Sequence, residues 1–434
     1  MKFTFMHMAD THLGFRQYGH TEREWDFDDA FHWAIDQAVA KQVDFVLLAG
    51  DLFQSGSNLQ AITFNNTVTR LEVLQEAGIP CLVIEGNHDL PRYRAYRTRF
   101  GWMNALAETN RLVYLLDVLY ATPLDAGVEP LLACDGHHIG HCAEPIPGVR
   151  VYGIGFNGAA TRTVLERFER FIAEQPADGP NYTILMSHAG VDGRTRERTS
   201  SNVSLSGLRG LRPRIDYVAL GHYHMKFSED NWLFNPGSLE LTSQDLAHEE
   251  PGGVFLVTVD TEAEPKHRVD HLECPRRPFV HKAFSLARTN GPEELYGEIE
   301  AFLIGERAKR DLEDDVKQPV LSIALVGASR FEPGLVDSHR IEELGRGILD
   351  PLLCRVSNRA LPPGTAAFDE IEDMSRRDLE EQVLEGMLES HPDFGKDLTH
   401  WTNATLEVME ASLEKGTADD ICNILGDTRA ALTG

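Results

Sequence analysis

The sequence predicts an α/β fold of stacked layers, followed by a small α+β domain and a helical C-terminal region. Three observations carry this expectation. Over the first two thirds of the chain, short apolar runs with strand character alternate with amphipathic runs at helical spacing. Five short clusters of Asp, Asn and His each follow an apolar run directly, as ligand residues do beyond the carboxyl ends of strands in layered α/β folds. The texture then changes at Cys274-Pro275-Arg276-Arg277-Pro278, which reads as a linker. A chain of 434 residues is long enough for two or three domains.

Taken in order, residues 3–8 predict a strand, and 27–39 a helix from the spacing of Phe27, Phe31, Ile35 and Val39. The continuous apolar run at 44–49 predicts a buried strand. Residues 62–76 predict a helix ended by Gly78-Ile79-Pro80. Further strands are expected at 81–84, 149–154, 182–186, 217–220 and 253–259. Beyond the linker come a strand (279–286), a helix (293–311), a strand (320–326) and a helix (341–350). A softer boundary lies at Leu361-Pro362-Pro363-Gly364, and the rest is acidic and helical, with Leu379, Val383 and Met387 on one face and Leu384 and Leu388 beside them. The domains expected are therefore 1–275, 276–363 and 364–434.

Composition is that of an ordinary globular protein, 42% hydrophobic and 25% charged. No apolar stretch approaches the length of a membrane span, and residues 1–10 lack the long apolar region and cleavage site of a secretory signal. A cytoplasmic protein is the expectation. The six cysteines are scattered over a large chain, which favours reduced thiols over a disulfide framework. The stretch from Cys134 through His137, His138 and His141 to Cys142 matches no common zinc spacing and reads as a polar loop. The net charge of −27 repels nucleic acid at long range, although local patches and bound cations decide binding.

The clusters are Asp10-x-His12, Gly50-Asp51, Gly86-Asn87-His88-Asp89, Ser187-His188 and Gly221-His222-x-His224. Singly, each fits a cap, a turn or surface histidines. Together they describe a two-metal phosphoesterase site, with Asp10, His12, Asp51, Asn87, His188, His222 and His224 as candidate ligands. Two metal ions about 3.5–4 Å apart supply a nucleophile and neutralise phosphoryl oxygens, and a bridging carboxylate holds them that close. Asp51, alone in its cluster, suits the bridge. Mixed oxygen and imidazole ligands favour manganese, iron or zinc over magnesium or calcium. His88 is either a ligand or an acid or charge stabiliser facing substrate.

The order D-x-H, G-D, G-N-H-D, H, G-H-x-H resembles the calcineurin-like metallophosphoesterases. Ala9-Asp10-Thr11-His12-Leu13-Gly14, Ala49-Gly50-Asp51-Leu52-Phe53 and Asn235-Pro236-Gly237-Ser238-Leu239-Glu240 resemble more narrowly the SbcD family, the nuclease half of the bacterial SbcCD complex and counterpart of the eukaryotic meiotic-recombination-eleven nuclease. The resemblance covers residues 1–260 closely and the rest by architecture. It implies a four-layer β-sandwich flanked by helices and a manganese-dependent DNA nuclease of double-strand-break repair. One metal is expected on Asp10, His12, Asp51 and His224, and the second on Asp51, Asn87, His188 and His222. His88 is expected to be the catalytic histidine, oriented by Asp89. Many relatives carry a second substrate-facing histidine where this chain has Gln54, which leaves the exonuclease and endonuclease balance open.

Arginines next to the metal loops are candidate DNA contacts. Arg92, Arg94, Arg97 and Arg99 interleave with Tyr93 and Tyr96; Arg194, Arg196 and Arg198 follow His188; Arg209, Arg212 and Arg214 come soon after. A solvated helix face is the bland alternative. No G-x-x-x-x-G-K-[ST] phosphate loop occurs, so the resemblance implies a separate SbcC-like coiled-coil ATPase, docked by the C-terminal helices, and a homodimer. A small-molecule phosphodiesterase of the same superfamily and a catalytically silent DNA-binding scaffold are the competing readings.

Overall fold

The computed structural model describes residues 1–90, 101–118, 139–175, 179–192, 202–243, 251–310 and 317–363, together with 384, 388, 401, 402, 404–406 and 408. The chain forms two compact units. One comprises residues 1–281, 309–322 and 350–353, the other 282–308, 323–349 and 354–434.

The first unit holds thirteen strands among the described residues: β1 (Lys2–Met8), β2 (Phe45–Leu48), β3 (Cys81–Val83), β4 (Tyr114–Leu116), β5 (Ile139–Gly140), β6 (Cys142–Ile146), β7 (Val149–Ile154), β8 (Tyr182–His188), β9 (Tyr217–Gly221), β10 (Phe227–Glu229), β11 (Leu233–Asn235), β12 (Gly253–Asp260) and β13 (His267–Glu273). They make two sheets, ordered β13-β12-β1-β2-β3-β4-β5 and β10-β11-β9-β8-β7-β6. From β1 to β5 the first sheet is parallel, and so are β7, β8 and β9 in the second.

Strand side chains alternate between faces, and this alternation builds four layers. Phe3, Phe5, Phe45, Leu47, Leu82 and Ile84 of the first sheet meet Val149, Val151, Ile184, Met186, Tyr217 and Ala219 of the second in one buried cluster. The intervening residues point outward. Met6, Met8, Val46, Leu48 and Val83 pack with Phe31, Ile35, Leu71 and Leu74 of the helices Thr21–Ala40 and Ala61–Glu76. Tyr152, Ile154, Leu185, Val218 and Leu220 pack with Val164, Leu165, Phe168 and Ile172 of the helix Thr161–Glu174. The order is therefore helices, sheet, sheet, helix, as the sequence predicts. Each fully buried Phe or Leu in these layers is worth about 1.5–3 kcal/mol of burial.

A three-stranded sheet, β14 (Phe279–Ser285), β15 (Val320–Val326) and β16 (Leu353–Asn358), and the helices Pro292–Arg310 and Ser338–Leu349 have their larger parts in the second unit. The long helix buries Leu295, Tyr296, Ile299 and Leu303, and the shorter one Ile341, Gly345 and Leu349. The elements expected before residue 364 all form, with ends moved by a few residues. The helix predicted from 27 begins at Thr21, because its first turn, Thr21-Glu22-Arg23-Glu24, is too charged to display an apolar period.

His7 lies on the inner face of β1, fully buried. Its Nε2 is 3.0 Å from the Leu220 carbonyl and its Nδ1 3.0 Å from the Tyr217 hydroxyl. A carbonyl only accepts, so Nε2 carries the proton and Nδ1 accepts from Tyr217. Burial lowers the pKa to about 3, although the bond to Leu220 works the other way. In the unfolded chain His7 titrates near 6.5. Between those values the unfolded state takes up a proton that the folded state refuses, so stability is full above 6.5 and falls as pH drops toward 3. Denaturant unfolding at a series of pH values should therefore show a slope that His7→Gln reduces by up to one proton. An identical slope in both chains would mean that His7 titrates normally in the fold.

Candidate metal centre

All five clusters sit at the carboxyl ends of parallel strands. Asp10 follows β1, Asp51 follows β2 and Asn87 follows β3, three neighbours in one sheet; His188 ends β8 and His222 follows β9, two neighbours in the other. The loops are cross-tied. The Asp10 amide donates to the Gly50 carbonyl (3.0 Å) and the His12 amide to the Asp51 carbonyl (3.1 Å). The His88 amide donates to Asp51 Oδ1 (2.8 Å), and the His222 amide to the Asp10 carboxylate (3.0 and 3.1 Å). Asp10, His12, Asp51 and His222 all have left-handed backbone, with φ of 53°, 47°, 53° and 88°. Such conformations cost non-glycine residues about 1–3 kcal/mol each and cluster at functional sites.

The structure brings all seven candidate ligands together around Asp51. On one side, single ligand atoms of Asp10, His12, Asp51 and His224 lie within 4.8 Å of one another. His12 Nε2 and His224 Nε2 are 3.0 Å apart, and His12 Nε2 is 3.9 Å from Asp51 Oδ2. On the other side, His188 Nε2 lies 3.3 Å from the same Oδ2 and 3.2 Å from Asn87 Oδ1. His222 Nδ1 is 2.9 Å from that amide oxygen. Gly86 permits this crowding, since a Cβ there would stand 2.1 Å from Asp51 Oδ1. Gly50, at φ +91°, leaves no room for a Cβ against His188.

The electrostatics are those of a cation site. Burial raises the Asp10 pKa to about 8, with the Asp51 charge adding to it. For Asp51 burial is outweighed by His188 and His12, and its pKa falls well below the carboxylate range. For His188 burial is likewise outweighed, chiefly by Asp51, and its pKa rises to about 9. Burial and the His188 charge lower His222 to about 3, and burial lowers His224 to about 4. Two imidazole nitrogens meeting beside two buried carboxylates, with two further imidazoles and an amide oxygen close to Asp51, suit borderline divalent cations. The donor set fits divalent metal ions.

His88 and Asp89 occupy different positions. His88 Nδ1 donates to the Gln54 carbonyl (2.8 Å). Asp89 is buried and accepts the amides of Leu52 (3.3 Å), Phe53 (2.9 Å) and Gly86 (2.9 Å). The ring of His88 is thus oriented by a carbonyl, whereas the Asp89 carboxylate is engaged in fixing the loops that carry Asp51 and Asn87. Burial and the Asp51 charge raise the Asp89 pKa to about 7.

Several calls fall outside the described residues: Arg92, Arg94, Arg97 and Arg99 with their tyrosines, Arg194, Arg196 and Arg198, Cys134, His137 and His138, and the Leu379, Val383, Met387 face. Of the remaining arginines, Arg209 and Arg212 lie 3.6 and 3.1 Å from Asp230, and Arg214 donates to the Ala173 carbonyl. Sequence reasoning missed the groups that orient the rings. His188 Nδ1 donates to the Ala49 carbonyl (2.8 Å), and His224 Nδ1 meets the Thr242 hydroxyl. Backbone carbonyls leave no residue-type signal, and a threonine in Leu241-Thr242-Ser243 looks like any loop residue.

The profile of the family described as calcineurin-like phosphoesterase matches residues 3–226. The chain is also similar to proteins described as "DNA double-strand break repair protein Mre11". The one from Thermoplasma acidophilum is 47% identical over 89 residues, 20% of this chain and 23% of that protein. The one from Saccharolobus solfataricus is 30% identical over 226 residues, 51% and 49% of the two chains. The one from Haloferax volcanii is 28% identical over 351 residues, 78% and 65% of the two chains. The chain thus spans 23% to 65% of the length of these relatives.

Proposed function

Because the chain belongs to the calcineurin-like phosphoesterases, with the family profile spanning residues 3–226, we propose that it is a manganese-dependent DNA nuclease of double-strand-break repair. The observation that carries this reading is the placement of His12 and His188 about one carboxylate oxygen, 3.9 and 3.3 Å from Asp51 Oδ2. The relatives named as break-repair proteins support DNA as the substrate.

In this reading Asp10, His12, Asp51 and His224 hold one ion, and Asp51, Asn87, His188 and His222 the other. When bound, the pair supplies an activated water and neutralises the phosphoryl oxygens. The residues themselves do the rest. The Ala49 carbonyl fixes the proton of His188 on Nδ1, leaving Nε2 as the ligand atom. The Gln54 carbonyl does the same for His88, so that His88 Nε2 is the nitrogen available to serve the scissile phosphate or its leaving oxygen. Asp89 keeps the Asp51 and Asn87 loops in register. Arg92, Arg94, Arg97, Arg194, Arg196 and Arg198 are proposed to contact phosphate. An SbcC-like ATPase at the C-terminal helices and a second copy of the chain are the proposed protein partners. The proposed division of labour is a nuclease domain at 1–275, a capping domain at 276–363 and a partner-binding region from 364.

Incubation with manganese and either single- and double-stranded DNA or cyclic nucleotides tests the reading, with His88→Asn as control. DNA cleavage that drops about 10²–10⁴-fold in the control is the expected result. Cleavage of the small diesters alone would replace DNA nuclease by small-molecule phosphodiesterase. No turnover of either would favour a binding scaffold. Equal rates from both chains would remove the role given to His88. Among the described residues, no helix is long and apolar enough to cross a membrane.

A further inference from the structure

We infer that Thr242 is a positioning residue for the metal pair, holding His224 in the tautomer whose Nε2 is free to bind metal. The inference rests on the two-metal reading above and concerns a residue outside all five clusters.

An imidazole binds metal through a nitrogen that carries no proton, and the partner of the other nitrogen decides where the proton sits. For His188 and His88 that partner is a carbonyl, of Ala49 and Gln54, which accepts only and so fixes the proton on Nδ1. His224 differs. Its Nδ1 meets the Thr242 hydroxyl, a group that donates or accepts. If the hydroxyl donated, the proton of the neutral ring would sit on Nε2, which lies 3.0 Å from His12 Nε2 and 3.9 Å from Asp10 Oδ1, and the ligand atom would be lost. When the hydroxyl accepts, Nε2 is free in the middle of the ligand group.

The hydroxyl is held in place by a buried anchor. The Ser238 hydroxyl donates to the Glu240 carbonyl (2.7 Å) and the Leu241 amide to Glu240 Oε1 (2.7 Å). The Leu241 carbonyl accepts from Gln17 Nε2 (2.9 Å) and Arg23 Nη2 (3.2 Å). The Ser238 amide donates to the carbonyl of His224 (3.2 Å). One short segment, 238–242, thus grips His224 at main chain and ring together. The ion held by His224 depends on this grip. The ion opposite, on His188 and Asn87, does not.

Titrating the full chain with Mn²⁺ while reading free ion by electron paramagnetic resonance tests this without any enzymatic step. The parent should bind two ions. Thr242→Val, similar in shape but without the hydroxyl, should weaken one of them about 10–100-fold and leave the other in place, whereas Thr242→Ser should bind both as the parent does. Unchanged binding of both ions by Thr242→Val would overturn the inference. So would equal weakening in Thr242→Ser, which keeps the hydroxyl. If Thr242→Val loses its circular-dichroism signal, Thr242→Ala against Thr242→Ser makes the same comparison. A chain that shows the expected pattern yet cleaves no DNA would sink the nuclease reading and leave the role of Thr242 standing. A parent that binds fewer than two ions would remove both the metal-pair assignment and this one.

Discussion

Asp51→Asn is expected to lower phosphodiester hydrolysis by about 10³-fold or more and to reduce bound manganese from two ions to at most one. The substitution keeps the shape of the side chain and its oxygen for the His88 amide, which donates to Asp51 Oδ1 at 2.8 Å. It removes the charge that His12 and His188 both approach. A metal pair contributes several kcal/mol of charge stabilisation to the transition state, and each 1.4 kcal/mol is about a factor of ten in rate. Loss of one shared carboxylate should therefore cost more than loss of any ligand that serves a single ion. Metal content by mass spectrometry and initial rates on DNA are the two measurements. Two ions retained and a rate within tenfold of the parent would show that Asp51 is not the bridge.

Arg23→Ala is expected to destabilise the fold by about 3–5 kcal/mol, the usual cost of removing one partner from a buried ionic network. Arg23 is fully buried. Its guanidinium donates to Gln17 (2.8 Å), Asp26 (2.7 Å), Glu240 (3.2 Å) and the Leu241 carbonyl (3.2 Å), and its carbon lies over the rings of Phe27 and Phe279 at 5.5 and 5.0 Å. Asp26 retains Arg277 and Lys317 as partners after the substitution, but Glu240 loses the guanidinium that balances its charge. Lysine should recover only part of the loss, because one ammonium cannot reproduce a planar fork that serves four acceptors. Guanidinium chloride unfolding of the three chains measures this. A loss under 1 kcal/mol for the alanine chain would mean that water replaces the guanidinium.

The candidate centre was legible in the sequence because each of its five clusters directly follows an apolar run. Leu47-Leu48 before Asp51 and Val83-Ile84 before Asn87 announce strand ends, and neighbouring parallel strands do the rest. What escaped reading has physical causes. Thr21–Ala40 begins with so many charges that it resembles a solvated face, yet Arg23, Glu24 and Asp26 are buried: Arg23 and Asp26 neutralise each other and partners far along the chain, and Glu24 pairs with Arg16. The helix Thr161–Glu174 carries a clear period in Val164, Leu165, Phe168 and Ile172, masked by the arginines and glutamates between them. β13 has mixed burial along its length and lies at the edge of its sheet, so His267–Glu273 shows no alternation. Glu240 stood in a stretch marked only by its resemblance, and its partner Arg23 could be found only in the fold.

The alternation that builds the four layers also reaches the chemistry. In β8 the residues Tyr182, Ile184 and Met186 face the other sheet, and His188, two positions on, keeps the same parity. A slip of β8 by one residue would bury Leu185 in their place and turn the histidine away from Asp51. On the proposed assignment, metal uptake is therefore a proofreading signal for strand register: a refolded molecule would hold both ions only if β1, β2, β3, β8 and β9 have each stopped at the right residue. Quality control of this fold and competence for its chemistry are one and the same event.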